Sequence, residues 1–113
     1  MNKYRAQKTT VDGIRFDSKK ESQRYLPLKL LQKAGLIRNL ELQPRFNLDI
    51  RALDDPLGPS KRVGFYKADF RYEEKKDEGW QEVVEDAKGV KTPTYRLKKK
   101  LTEALYTIEI QET

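Results

Sequence analysis

Neither cysteine nor histidine occurs among the 113 residues. Without cysteine the chain can form no disulfide and no thiolate zinc finger, and its composition says nothing of a redox compartment. Without histidine it has no imidazole metal ligand, no imidazole general base and no Ser-His-Asp triad. Long apolar runs are missing too: none approaches the roughly 20 residues that span a bilayer. The basic N-terminus lacks the apolar segment of a signal peptide, so a cytoplasmic protein without a membrane partner is expected.

What the chain has is charge. Charged residues make up 37% and hydrophobic residues 36%, with a net charge of +6. A chain of this length is expected to be a single domain with one modest core. Its pI near 9.5 favours a polyanionic partner such as nucleic acid. Residues 1–8 are polar and basic and read as an arm that could touch DNA.

Local signals order the elements. Asp12-Gly13 between Thr9-Thr10-Val11 and Ile14-Arg15-Phe16 predicts a type I′ hairpin, because both turn positions need positive φ. Ser18 with Glu21 three positions on is a capping box, and Gly35 suits the position just past a helix. A helix is therefore expected between them, with Tyr25, Leu28 and Leu31 inward and Pro27 kinking or splitting it. Strands follow over 40–52, with Pro44 interrupting its start, over 62–74 and over 81–88; Asp54 to Ser60 is a loop. Thr92-Pro93-Thr94 opens a second helix to about Tyr106, its core stripe read as Leu97, Leu101, Ala104 and Leu105. A strand over 107–111 closes the chain. Helix, three strands, helix and strand predict an α/β chain of the α+β kind, a mixed sheet with helices packed against it.

Chemistry concentrates at Val83-Val84-Glu85-Asp86-Ala87-Lys88-Gly89. Strand alternation points Val84, Asp86 and Lys88 to one side and Glu85 and Ala87 to the other. If the strand carrying Asp69 is its antiparallel neighbour, Asp69 lies near Asp86, and two such carboxylates suit Mg²⁺ or Mn²⁺. Lys88 could position the attacking water or stabilise charge on a phosphate. The plain alternative for Asp86 and Lys88 is a surface salt bridge. Glu21 is either the helix-capping acid or a third acid of the site. Gln43 could contact a phosphate or simply be solvated. Lys98 and Lys99 could bind backbone phosphates and Tyr95 a sugar, or the three could form a solvated basic face. Phe65, Tyr66, Phe70 and Tyr72 read as sheet packing.

Together these segments resemble the PD-(D/E)XK nuclease superfamily, most closely a small family of phage-encoded proteins related to Holliday junction resolvases and Vsr-type nickases. Ala68-Asp69-Phe70 stands where that family has its first acid, and Glu85-Asp86-Ala87-Lys88-Gly89 where it has the acid-x-Lys motif. Phe16 to Glu21 resembles the segment that sets a helical glutamate over the site, Asn39 to Phe46 the first-strand signature, and Lys91 to Lys98 the helix after the motif. The likeness runs from about Tyr4 to Ile110; Ala68 replaces the proline that usually precedes the first acid. It implies a restriction-endonuclease-like core and an Mg²⁺- or Mn²⁺-dependent endonuclease cutting branched DNA in the host cytoplasm, as a resolvase-like homodimer. Catalytic Glu21, Asp69, Asp86 and Lys88 go with it, the three acids as metal ligands. A duplex nickase or restriction-like nuclease, or a non-catalytic nucleic-acid-binding module on the same fold, are the alternatives.

Overall fold

A computed structural model describes residues 9–87 and 91–113. It opens with the short hairpin β1 (Thr9–Val11) and β2 (Ile14–Phe16), whose turn residues Asp12 and Gly13 have φ of 53° and 75°. Helix α1 (Lys19–Lys33) starts at Ser18, whose Oγ accepts from Glu21 N at 3.1 Å. It stops in a Schellman turn: Gly35 N donates to Gln32 O and Leu36 N to Leu31 O, both at 3.0 Å, with Gly35 at φ 80°. The expected split at Pro27 does not occur; the helix is continuous through this exposed residue.

The two expected long strands form one antiparallel hairpin in which each arm is interrupted once, at the same level. Its first arm is β3 (Ile37–Leu42) then β4 (Arg45–Ile50), and the returning arm is β5 (Lys61–Lys67) then β6 (Phe70–Lys76). Leu42 faces Phe70 below the break and Arg45 faces Lys67 above it, so register is unchanged across it. Gln43 N donates to Asp69 O at 2.8 Å and Ala68 N to Pro44 O at 3.1 Å. Pro44 has no N–H to donate, and Gln43 sits at φ 53°, where the L-residue backbone bends sharply. The break thus turns β4 and β5 into a separate ribbon.

Strand β7 (Gly79–Asp86) pairs antiparallel with β6, and helix α2 (Pro93–Tyr106) then crosses over to β8 (Ile110–Glu112), parallel to β7. The result is a mixed sheet in the order β3-β6-β7-β8, and the α+β class expected from the sequence is the one observed. Phe16, Tyr25, Leu28, Phe70, Tyr72 and Val83 form the core under α1. Phe46, Tyr66, Ala68, Val84, Tyr95 and Ile110 form a second core that includes the α2 residue Tyr95. Val83 and Val84 therefore belong to opposite faces of the sheet.

Helix α2 departs from the expected packing. Leu97 is 59% and Leu105 43% exposed, Ala104 is also exposed and Leu101 is half-buried, while Tyr95 and Thr102 are buried. The helix is turned by its tyrosines: Tyr95 Oη donates to Glu112 Oε2 at 2.9 Å and Tyr106 Oη to Asn47 O at 2.8 Å. Among the described residues no helix is long and apolar enough to cross a membrane.

Candidate functional site

The break in the hairpin is where the acids gather. Asp69 begins the lower arm, and three bonds pin its backbone and side chain: its N donates to Glu85 O at 3.0 Å, its O accepts from Gln43 N, and Oδ2 accepts from Ala87 N at 2.5 Å. Phe70 faces Glu85 in the β6–β7 ladder, so continuing that register sets Asp69 opposite Asp86. The expected neighbourhood of Asp69 and Asp86 is present.

Glu21 reaches this place from the first turn of α1 and is 2% exposed. Its backbone N–H completes one half of the capping box with Ser18. Its carboxylate does not return to Ser18; it accepts from Asp17 N at 3.3 Å and from Gln43 Nε2 at 3.4 Å. The Glu21 backbone thus belongs to the helix start, while its carboxylate lies against Gln43 and not on Ser18. Burial, and after it the charge of Asp69, pushes the Glu21 carboxyl from 4.5 up to about 7. Gln43 is half-buried between the two acids, its backbone on Asp69 and its side chain on Glu21.

A carboxyl whose pKa is raised by folding binds its proton more tightly in the native state, so stability falls as pH rises through the raised value. Glu21 is therefore expected to remove about 2–3 kcal/mol of stability between pH 4.5 and 7 in metal-free buffer. Urea unfolding of the wild type and Glu21→Gln across this range checks it. The variant should be the more stable above pH 7 and equal at the acid end; a constant difference would refute the assignment.

The consecutive acids of β7 divide between the two faces. Asp86 is fully buried in the α2-side core, where Tyr66 Oη donates to its Oδ2. Burial and the adjacent Asp86 charge hold the Tyr66 phenol above its ordinary value, so it stays a donor. Glu85, on the α1 side, takes a two-pronged bond from Arg24: Nε to Oε1 at 2.7 Å and Nη2 to Oε2 at 2.8 Å. Tyr72 Oη donates to the same carboxylate. The bond to Glu85 is the main reason the Arg24 guanidinium is held above its ordinary value. Glu85 is thereby committed to a buried ion pair.

Lys88 lies outside the described residues, as does the basic arm over 1–8. On α2, Lys98 and Lys99 are half-buried. Lys99 Nζ stands 3.4 Å from Glu112 Oε1, so this cation is shared with a carboxylate of the chain itself. Tyr95 is buried, its ring 6.2 Å from that of Tyr66. Sequence reasoning missed the Arg24 bond to Glu85 and the Tyr66 bond to Asp86. Arg24 left a signal, a cation next to the inward Tyr25 and three positions after Glu21; Tyr66 left none beyond the alternation that marks a core aromatic.

Among the described residues no three acidic side chains are grouped closely enough to hold a metal by themselves. Mg²⁺ keeps several of its waters and is bound through one or two carboxylates, and the oxygens of Asp69 and Asp86 are donors of the matching hardness. The fold and site thus define a small mixed α+β domain with buried acids at a hairpin break. The chain belongs to the family described as "Protein of unknown function (DUF1064)", whose model matches residues 1–112. No curated protein and no solved structure matches it.

Proposed function

We propose that this chain is a divalent-metal-dependent endonuclease that hydrolyses phosphodiester bonds of branched or otherwise structured DNA, in the manner of a junction resolvase. The observation that carries the reading is the pair Glu21 and Asp69. Two acids of like charge are buried together at one break of the backbone, and among the described residues neither has a cationic side-chain partner. Burial disfavours the ionised form of Glu21, and a cation bound beside it would offset that.

Asp69 and Asp86 would hold Mg²⁺ or Mn²⁺ together with its waters, with Glu21 beside Asp69 as the further acid; the ion would acidify a bound water and neutralise charge on the phosphate. The chain's own groups set the acids: Ala87 N holds Asp69, Tyr66 holds Asp86 and Gln43 orients Glu21. Lys88, one residue past Ala87, is assigned the cation that faces the phosphate. The net charge of +6 supplies attraction to the DNA backbone, and Lys98 on α2 lines an open cleft. Symmetric cutting of a junction needs two copies, and the exposed Leu97 and Leu105 give α2 an apolar face on which a homodimer could close.

The test is incubation with Mg²⁺ or Mn²⁺ and labelled four-way junction, flap and linear duplex, with light scattering of the same preparation for the dimer. Preferential cutting of the branched substrates is expected. Cutting of linear duplex without that preference would favour a nickase or restriction-like nuclease. Binding without any cutting would leave a non-catalytic nucleic-acid-binding module. Affinity should fall steeply with added salt, in proportion to the phosphates contacted.

A further inference from the structure

Phe65 is the aromatic that did not go into the core. On β5 its neighbour Tyr66 turns inward, leaving the Phe65 ring 39% exposed on the ribbon surface. Two cations attend it. The Arg45 guanidinium carbon, from β4, lies 3.8 Å from the ring centroid, and Lys98 Nζ, from α2, lies 5.5 Å from it. Between β5 and the start of α2 opens a cleft of about 310 Å³, whose walls include Phe65, Tyr66, Lys67, Thr92, Thr94 and Lys98.

The lining reads as a binding inventory for one nucleotide. A half-exposed aromatic ring offers a face on which any base can stack, and the cations now over it are mobile side chains that an incoming base would displace toward the adjoining phosphates. Two threonines and two lysines supply polar contacts of the kind made to sugar and phosphate. Among the described residues no carboxylate lines the cleft; Lys67 has an exposed partner in Asp17 at 3.4 Å, a weak, screened pair that a phosphate can replace. The volume is at the small end for a ligand pocket, which fits a single nucleotide rather than a duplex.

The position matters as much as the chemistry. Tyr66 forms part of the cleft wall and is also the donor to Asp86, and Lys67 precedes Asp69 by two residues. The cleft therefore shares a wall residue with the surroundings of Asp86 and ends two residues before Asp69. In continuous duplex both faces of a base are covered by its stacked neighbours, so the Phe65 ring can reach only an unpaired base.

We propose that this cleft is a subsite for one unpaired nucleotide adjoining the cut phosphate, its base stacked on Phe65 and its backbone held by Lys67 and Lys98. The assignment rests on the nuclease reading and deepens it: the feature recognised at a branch is an unpaired nucleotide.

The decisive measurement is DNA binding in EDTA, where no cutting occurs, by anisotropy of a labelled duplex bearing a single-stranded branch and of the same duplex fully paired. Phe65→Ala should weaken binding of the branched DNA about tenfold, the worth of one base stacked on an aromatic. The paired duplex should be bound as by the wild type. Phe65→Trp should restore binding, which guards against a loss caused only by a disturbed ribbon. A 2-aminopurine at the first unpaired position should change its fluorescence on binding the wild type and the Trp variant, and not the Ala variant. Unaltered binding of branched DNA by Phe65→Ala, equal weakening on both DNAs, or no binding of branched DNA by the wild type each overturns the subsite. Because the assay contains no metal, a chain that never cuts can still pass it, so failure of the nuclease reading and failure of the subsite are told apart.

Discussion

Asp86→Asn is expected to reduce Mg²⁺-dependent cleavage of branched DNA at least about a hundredfold while leaving the fold intact. The two halves of this expectation have separate causes. The metal's stabilisation of transition-state charge is worth several kcal/mol, each 1.36 kcal/mol of which is about tenfold in rate. Removing one anionic donor from a two- or three-carboxylate set forfeits a large part of it. The fold should survive because Asn keeps the side-chain oxygen that accepts from Tyr66 and has the same shape, while a fully buried charge is removed. Single-turnover cleavage measures the first half and thermal melting the second. Cleavage within threefold of wild type by a folded variant would remove Asp86 from the site; a melted variant would show a structural carboxylate instead.

Arg24→Ala should be the most damaging change to stability, costing about 3–5 kcal/mol. Glu85 is 1% exposed, and the two bonds from Arg24 compensate its charge. Without the guanidinium a buried anion keeps only the Tyr72 hydroxyl among these three partner bonds. For a domain whose total stability is of order 5–15 kcal/mol, this loss brings unfolding close to ambient temperature. Replacing both partners with leucine should return most of the stability, since an apolar pair of similar volume leaves no charge behind. Urea denaturation of the single and double variants tests the account. A cost below about 1 kcal/mol for Arg24→Ala would mean that water screens the pair through the partly exposed arginine.

Local backbone chemistry was legible from the residues. Asp12-Gly13 needed positive φ at both positions and has it, and Ser18 and Gly35 bound α1 because caps act within one turn. Hydroxyl bonds to distant acceptors were not legible. The α2 leucines read as a core stripe by periodicity, yet Tyr95 and Tyr106 turned the helix, drawn by Glu112 and by the carbonyl of Asn47. The unbroken register across Gln43-Pro44 was hidden in the same way, since Pro44 announces a break but not what faces it. Phe65 and Tyr66 were read alike as packing; one lines a cleft and the other holds Asp86.

By itself the sequence restricted the available chemistry to carboxylates, amines and hydroxyls, by lacking histidine and cysteine, and it named Asp69 and Asp86 as acids of neighbouring strands. Alternation along β7 also sent Glu85 and Asp86 to opposite faces, a consequence of the two-residue period of any strand. Only the tertiary structure decided what each acid meets there. Glu85 meets Arg24 of α1, Asp86 meets Tyr66 of β5, and Glu21 is set beside Asp69 by a break in a hairpin. These partners lie far along the chain, and long-range pairing depends on which faces pack together, which no local window of residues contains.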